Sequence, residues 1–447
     1  MSDQKTQARY DDRAVARAGV MIAVLSVVAR LSAFVREAVI ASTFGRSPEV
    51  DAFFLALAVP VFLSSVVAGS FQIAIVAVFL EERQKQGQEQ ALKLFRSGTL
   101  MMLAIFAPMT VLMALAAPYY LQAFATGFSE ETLRLTADML WIMTLFALFG
   151  GCVTTFGGLL SADKRFALPA IAPLLTPVVM TLMLLLFSNQ LGVGALAWGA
   201  VIGTGLEAVI VGFACRHALA FEFPRFDKLA MFGLLRRWAP LVLSTLLLSG
   251  AALIDQMMAA SLGSGSASAI GYGVKLVLAG LGIVTLALGM SVLPAYSEEA
   301  GIGDQRAFLA RLNRHIMFMF ATSIPVLAIT SILAEPVISL MYERGAFTAE
   351  DTALVSSILI AYVMQLPFFA ATVILVRAAA VLGLGRGIAG AAFINIVMTI
   401  GLNALFMEFW GVVGIAIATA PAFLATAGAL YMVVMRRLLS PPPSAKA

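Results

Sequence analysis

Among the ionisable residues inside stretches that are otherwise apolar are Arg30, Arg36, Glu37, Asp51, Glu207, Asp255, Lys275 and Arg377. A charge at bilayer depth costs several kcal/mol unless it is paired, hydrated or able to reach the interface. Cations retained there do one kind of chemistry well, because guanidinium and ammonium groups in poorly hydrated surroundings bind phosphate oxygens. The acids suit another task, since carboxylates at membrane depth commonly carry protons or metal cations. Covalent catalysis is not what this set does. The sequence has no Walker A loop, nucleophile elbow, HExxH helix or Cys/His cluster, and two histidines, His217 and His315.

Position separates these residues. Arg30 lies about 18 Å into a helix that begins near Ala18, too deep to snorkel easily. It either faces an aqueous cavity or meets backbone carbonyls or Glu37, seven residues on and on the same helical face. Arg36, about 27 Å along, is near the outer interface, where snorkelling competes with a cavity role. Asp51 opens an apolar helix as DAFF, so it either caps that helix or pairs with Arg36 across the turn. Lys275, in GYGVKL, occupies the corresponding place in the second half of the chain. Three cations around one cavity would suit a phosphate-bearing cargo, whereas a cationic drug would want the opposite sign. Asp255, in AALIDQMMAA, is either a proton or cation site or a hydrogen-bond partner of a nearby Ser or Thr. The same choice holds for Glu207, closer to its helix end, and Arg377 reads as a snorkelling residue.

The elements that must hold these groups are membrane helices. Of 447 residues 61% are hydrophobic and 12% charged, and the mean hydropathy is +0.96. Soluble chains run nearer 45–50% apolar and about 25% charged. The net charge of +4 needs no nucleic acid to explain it, and Cys152 and Cys215 suggest neither a disulfide nor a metal site. Windows of about 20 apolar residues occur twelve times, at 18–44, 51–80, 98–117, 135–160, 167–187, 192–213, 238–262, 270–295, 312–333, 352–380, 388–407 and 411–435. The second window is long, and Ala68-Gly69-Ser70 is where it should bend. Of the 29 Lys and Arg, 22 fall in segments on the side of the N-terminus and three, Arg46, Arg134 and Arg344, on the other. The positive-inside rule then puts both termini in the cytoplasm.

The longest inner loop, 214–237, divides the windows six and six. The expected organisation is a leader over 1–17, an N-lobe over 18–213, the linker over 214–237, a C-lobe over 238–435 and a tail over 436–447. Both halves open alike: Ala41-Ser42-Thr43-Phe44-Gly45 resembles Ala260-Ser261-Leu262-Gly263, and Phe79-Leu80-Glu81-Glu82 resembles Tyr296-Ser297-Glu298-Glu299. An even number of spans per half makes a parallel repeat, two six-helix lobes related by a pseudo-two-fold axis along the membrane normal. The fold class is all-α, polytopic, with about twelve transmembrane helices.

The stretches ARLSAFVREAVIASTFG and VDAFFLALAVP, with RFALPAIAP at 165–173, LAW at 196–198, GSGSASAIGYGVKL at 263–276, LGMSVLP at 288–294 and SLMYERGAFTAEDT at 339–352, resemble the MurJ/MviN lipid II flippases. These belong to the multidrug/oligosaccharidyl-lipid/polysaccharide exporter superfamily. The resemblance implies a central cavity that takes a lipid diphosphate, with Arg30, Arg36 and Lys275 at cavity positions and Asp51 at the family's acidic one. It also implies a coupling-ion site, for Na+ or H+, near Asp255, Asn395, Thr399 and Thr419. Where the family carries an arginine pair in the second helix, this chain has Ser64 and Ser65, and Thr399 stands where the family has an acid. Family members carry two further helices after the twelfth.

The expected function is therefore a flippase, not an enzyme, with no cofactor. It would move an undecaprenyl-diphosphate-linked glycan, lipid II or an exopolysaccharide or O-antigen-type repeat unit, across the bacterial inner membrane by alternating access. The expected partners are that saccharide lipid, membrane lipids and glycan synthesis proteins, with the chain monomeric. The alternatives are a cation-coupled multidrug or metabolite exporter of the same superfamily and a non-transporting scaffold of a glycan synthesis complex.

Overall fold

A computed structural model describes residues 25, 27–218, 228–278, 296 and 305–439. The predicted leader over 1–17, the LGMSVLP motif at 288–294 and the tail beyond Leu439 lie outside them. Every regular element among the described residues is helical. In hydrocarbon a helix satisfies its own backbone groups, which a lone strand cannot do.

The helices run in this order: α1 over 27–44, α2 Pro48–Gln86, α3 Gln88–Leu115, α4 Ala117–Phe124, α5 Glu130–Ala162, α6 Ala167–Leu191, α7 Gly194–Ala214, α8 Lys228–Ser261, α9 Ser266–Leu278, α10 Gln305–Tyr342, α11 Ala349–Val381 and α12 Gly385–Leu439. Nine of these described helices are long and apolar enough to cross a membrane. The run α12 is two helices meeting at Gly411, whose φ of 54° no L side chain favours. The described parts of the windows 18–44 and 270–295 fall on α1 and α9, and the other ten windows fall on the nine long helices. The protein is an all-α, polytopic membrane protein.

Interruptions come where the side chains demand them. α2 passes through one π-helical turn at Ser65–Gly69, over the predicted bend. The Ser70 hydroxyl donates to the freed carbonyl of Val66 and accepts from the Trp238 indole N–H at 2.8 Å. Trp238 also meets Phe71 edge-on, with centroids 5.2 Å apart. Pro173 and Pro177 break the start of α6 into a 3-10 turn over Ala172–Leu174. At the start of α11 a capping box is complete, Thr348 and Asp351 each accepting from the other's backbone N–H.

Two compact units emerge, and they do not follow the chain. The first takes residues 1–40, 55–122 and 129–246; the second takes 41–54, 123–128 and 247–447. The α1–α2 turn and the first residues of α2 thus belong with the second half. The segment 228–237, expected to be linker, is helical, and α8 contributes residues to both units. The first unit packs around Phe71, Ile75, Phe79, Phe95, Met102 and Phe106. The second packs around Tyr296, Phe308, Leu312, Ile374, Leu375 and Leu430. Large apolar side chains left exposed, such as Leu185 and Leu186 on α6 and Ile332 and Leu340 on α10, are what a lipid-facing surface requires.

Candidate functional site

In the first unit, α1 carries Arg30 with its side chain exposed and Arg36 nearly covered. Glu37 pairs with Arg36, its immediate neighbour. The Arg36 guanidinium donates to the Glu37 carboxylate, with the side chains 12% and 1% exposed. Its second terminal nitrogen reaches the Met180 sulfur at 3.6 Å. Glu207 is the simpler case: Oε1 accepts from the backbone N–H of Thr176 at 3.0 Å and its hydroxyl at 2.6 Å. Proline has broken the helix there, so this carboxylate supplies the acceptor that a regular turn would have given.

In the second unit, Asp51 does not pair with Arg36. It is completely buried, and its two carboxylate oxygens accept from the backbone N–H groups of Gly265 and Ser268. These are orphan donors at the start of α9, so the acid does cap a helix, though not its own. One turn further along α2, Phe54 lies on the same face as Asp51. Its ring packs edge-on to Tyr272, with centroids 5.3 Å apart and planes at 86°. The Lys275 ammonium stands 4.8 Å from the centroid of the Phe54 ring. The turn before α2 is pinned as well. The Tyr272 hydroxyl donates to the Gly45 carbonyl at 2.9 Å, Ala346 N–H donates to the Ser42 carbonyl at 2.9 Å, and Arg46 pairs with Asp351. A Cβ on Gly345 would lie 2.2 Å from the Ser42 oxygen, so this turn-to-turn approach requires glycine.

The candidate coupling-ion residues sort differently from expectation. Asp255, buried, accepts from the Asn403 amide at 2.7 Å and from the Tyr362 hydroxyl at 3.4 Å. Asn395 donates to Thr426 Oγ1 at 3.0 Å, and the Thr419 hydroxyl bonds the Ala416 carbonyl of its own helix at 2.7 Å. Asn395, Thr399 and Asn403 recur every fourth residue along α12 and are all buried, which puts them on one inward face. The donors are all oxygens, as a hard cation prefers. Moreover, the Asn403 Oδ1 is buried without a hydrogen-bond donor, an oxygen that a cation would satisfy. The set therefore fits a cation around Asp255 and Asn403 better than around Asp255 and Thr419. Arg377 is half-buried on α11. Both cysteines are free, and burial pushes the Cys215 thiol up to about 11, which keeps it a poor metal ligand.

Sequence reasoning missed Phe54, Tyr362 and Asn403. The four-residue spacing after Asn395 and Thr399 was a signal for Asn403. Phe54 sits three residues after Asp51, but nothing local says which helix its ring meets.

A many-helix membrane protein that keeps cations and acids inside apolar spans is built as a transporter, and the comparisons agree. Residues 40–445 match the family described as Lipid II flippase MurJ. The chain belongs to that family. A protein of Synechocystis sp. named "Probable lipid II flippase MurJ" is 29% identical over 448 residues, covering 95% of this chain and 82% of its own. The "Lipid II flippase MurJ" of Burkholderia cenocepacia is 26% identical over 357 residues, covering 77% and 69%. Among solved structures, a lipid II flippase MurJ in an inward closed conformation superposes with a TM-score of 0.79 at 23% identity, covering 94% of this chain and 89% of that one. An inward-facing MATE-family multidrug resistance transporter of the MOP superfamily gives 0.75 at 16% identity, covering 94% and 98%.

Proposed function

We propose that this protein is a flippase that carries lipid II, the undecaprenyl-diphosphate-linked peptidoglycan precursor, across the bacterial inner membrane by alternating access. The observation that carries this reading is the match to the flippase family over residues 40–445. The membrane-depth cations add the chemistry, since a diphosphate crossing hydrocarbon needs compensating positive charge. Arg30, Arg36 and Lys275 are the residues assigned to it. Asp51 serves them indirectly, by capping the helix that carries Lys275.

Nothing in the work requires bond chemistry; the protein is a transporter and not an enzyme. An inside-negative potential acts on a charged cavity and its anionic cargo with about 2.3 kcal/mol per charge per 100 mV. A coupling cation, Na+ or H+, would fall to Asp255 and Asn403, with Asn395, Thr399 and Thr419 around them. Both termini are assigned to the cytoplasm by the distribution of Lys and Arg.

The test is translocation of fluorescent lipid II in proteoliposomes. Replacing Arg30 and Lys275 together by Ala should lower the rate by about tenfold or more, the loss expected when two charge-assisted contacts go. An unchanged rate would sink the assignment.

A further inference from the structure

We propose that Phe54 is a positioning residue for Lys275: the face of its ring is a seat that fixes the ammonium where it meets the diphosphate. This rests on the reading that Lys275 binds that group. The ammonium lies 4.8 Å from the ring centroid, inside the range in which the negative face of an aromatic ring attracts a cation. The ring is itself held. Phe54 is 5% exposed, and Tyr272 presses on it edge-on. A Cβ at Gly271 would stand 3.0 Å from two Phe54 ring carbons. Gly271 therefore leaves the hollow on α9 into which the ring fits.

Helix geometry explains why Lys275 is the residue that uses this seat. Gly271 and Lys275 are four apart and share a face of α9. A long side chain on a helix leans toward the N-terminus, over the turn before its own Cα. Lys275 therefore leans onto the place the Phe54 ring fills. Three residues before Phe54, Asp51 caps the same helix through Gly265 and Ser268. The first two turns of α2 thus grip α9 twice, once at its end and once under its cation.

The chemistry of the seat differs from that of a carboxylate. A ring attracts an ammonium without adding a counter-charge. Lysine has a flexible stem and no planar fork to orient it. The ring supplies the orientation that the side chain lacks, and the ammonium is presented as a fixed point charge suited to a phosphate oxygen.

Binding of a fluorescent polyprenyl diphosphate to the full chain in nanodiscs tests this, with Phe54→Leu, Phe54→Tyr, Lys275→Met and the Phe54→Leu/Lys275→Met double variant. Phe54→Leu should weaken binding about five- to tenfold, the effect of a partly desolvated cation–π contact. Phe54→Tyr, which keeps the ring, should bind within about twofold of the parent. In the Lys275→Met background, Phe54→Leu should cost less than about twofold, because the group it serves is gone. An equal loss in both backgrounds would overturn the proposal by making Phe54 a packing residue only. Wild-type binding by Lys275→Met would instead overturn the assignment of Lys275 itself. Should Phe54→Leu fail to fold, a five- to tenfold loss in a folded Phe54→Tyr variant would count against the seat.

Discussion

Two cations at membrane depth are held by opposite means. Arg36 is bound by a carboxylate from the next residue, Glu37, in the first unit. Lys275 sits over the ring of Phe54, contributed to the second unit from 221 positions earlier in the chain. The first arrangement is local and neutralising. The second is non-local and adds no opposing charge. A cation bonded to a buried carboxylate must loosen that bond before it gives its full strength to a phosphate, whereas a cation on a ring need not. The two contacts differ in what they contribute: the carboxylate offsets the charge of Arg36, and the ring of Phe54 supports Lys275 without itself offsetting the charge.

The comparison breaks most strongly at Asp51. Replacing it by Leu strands the N–H groups of Gly265 and Ser268 in a buried site, at about 1–3 kcal/mol for each donor. Thermal unfolding of the purified protein should fall by several degrees, and diphosphate binding should weaken through Lys275. The pair at Arg36, in the other unit, should be untouched. Equal weakening of a Lys275→Met variant by the same change would show that the damage is not routed through Lys275.

A smaller effect with the opposite sign is expected at Glu37. Changing it to Gln leaves an acceptor for the guanidinium but removes the charge, so Arg36 becomes a stronger anion site. The affinity for a polyprenyl diphosphate should rise roughly threefold to tenfold. Stability should drop by about 1–3 kcal/mol, below the full cost of stripping a buried ion pair of one partner. Weaker binding would show that Glu37 aims Arg36 rather than storing it, and the contrast with Phe54 would shrink.

How much of this was legible beforehand follows from sequence separation. Apolar runs of membrane length needed no partner to be recognised, so wherever residues are described the windows found their helices. The bend at the π-turn of α2 was visible because Gly and Ser at 69 and 70 weaken a helix locally. The ionisable residues inside apolar stretches could be picked out from the sequence, but their partners could not. Asp51 was read either as a cap of its own helix or as a partner of Arg36 across one turn; it meets Gly265 and Ser268, more than 200 residues away. Helical periodicity offered Glu37 as one possible contact of Arg30; the carboxylate bonds the adjacent Arg36, whose stem is long enough to fold back onto it. Polar satisfaction in a core is a three-dimensional constraint, and a single chain read in order shows the demand for a partner without naming it. The units differ from the expected lobes for the same reason, since Ser42, Gly45 and Arg46 bond Ala346, Tyr272 and Asp351, far from them in sequence.

The smallest expected effect sharpens what holds Arg36. Beside Glu37, its guanidinium touches the Met180 sulfur at 3.6 Å, and a thioether is a weak acceptor. If the carboxylate is what stores this cation, Met180→Leu should change diphosphate affinity by less than about twofold and stability by less than about 1.5 kcal/mol, as a near-isosteric core exchange does. If the sulfur shares the task, the Met180→Leu change should instead mimic Glu37→Gln by tightening diphosphate binding. Measured side by side in the same nanodisc assay, the two variants decide whether the arginine has one anchor or two. A single carboxylate anchor keeps the contrast with the aromatic seat of Lys275 intact. A shared one would make both cations cases of soft, polarisable support, differing in degree.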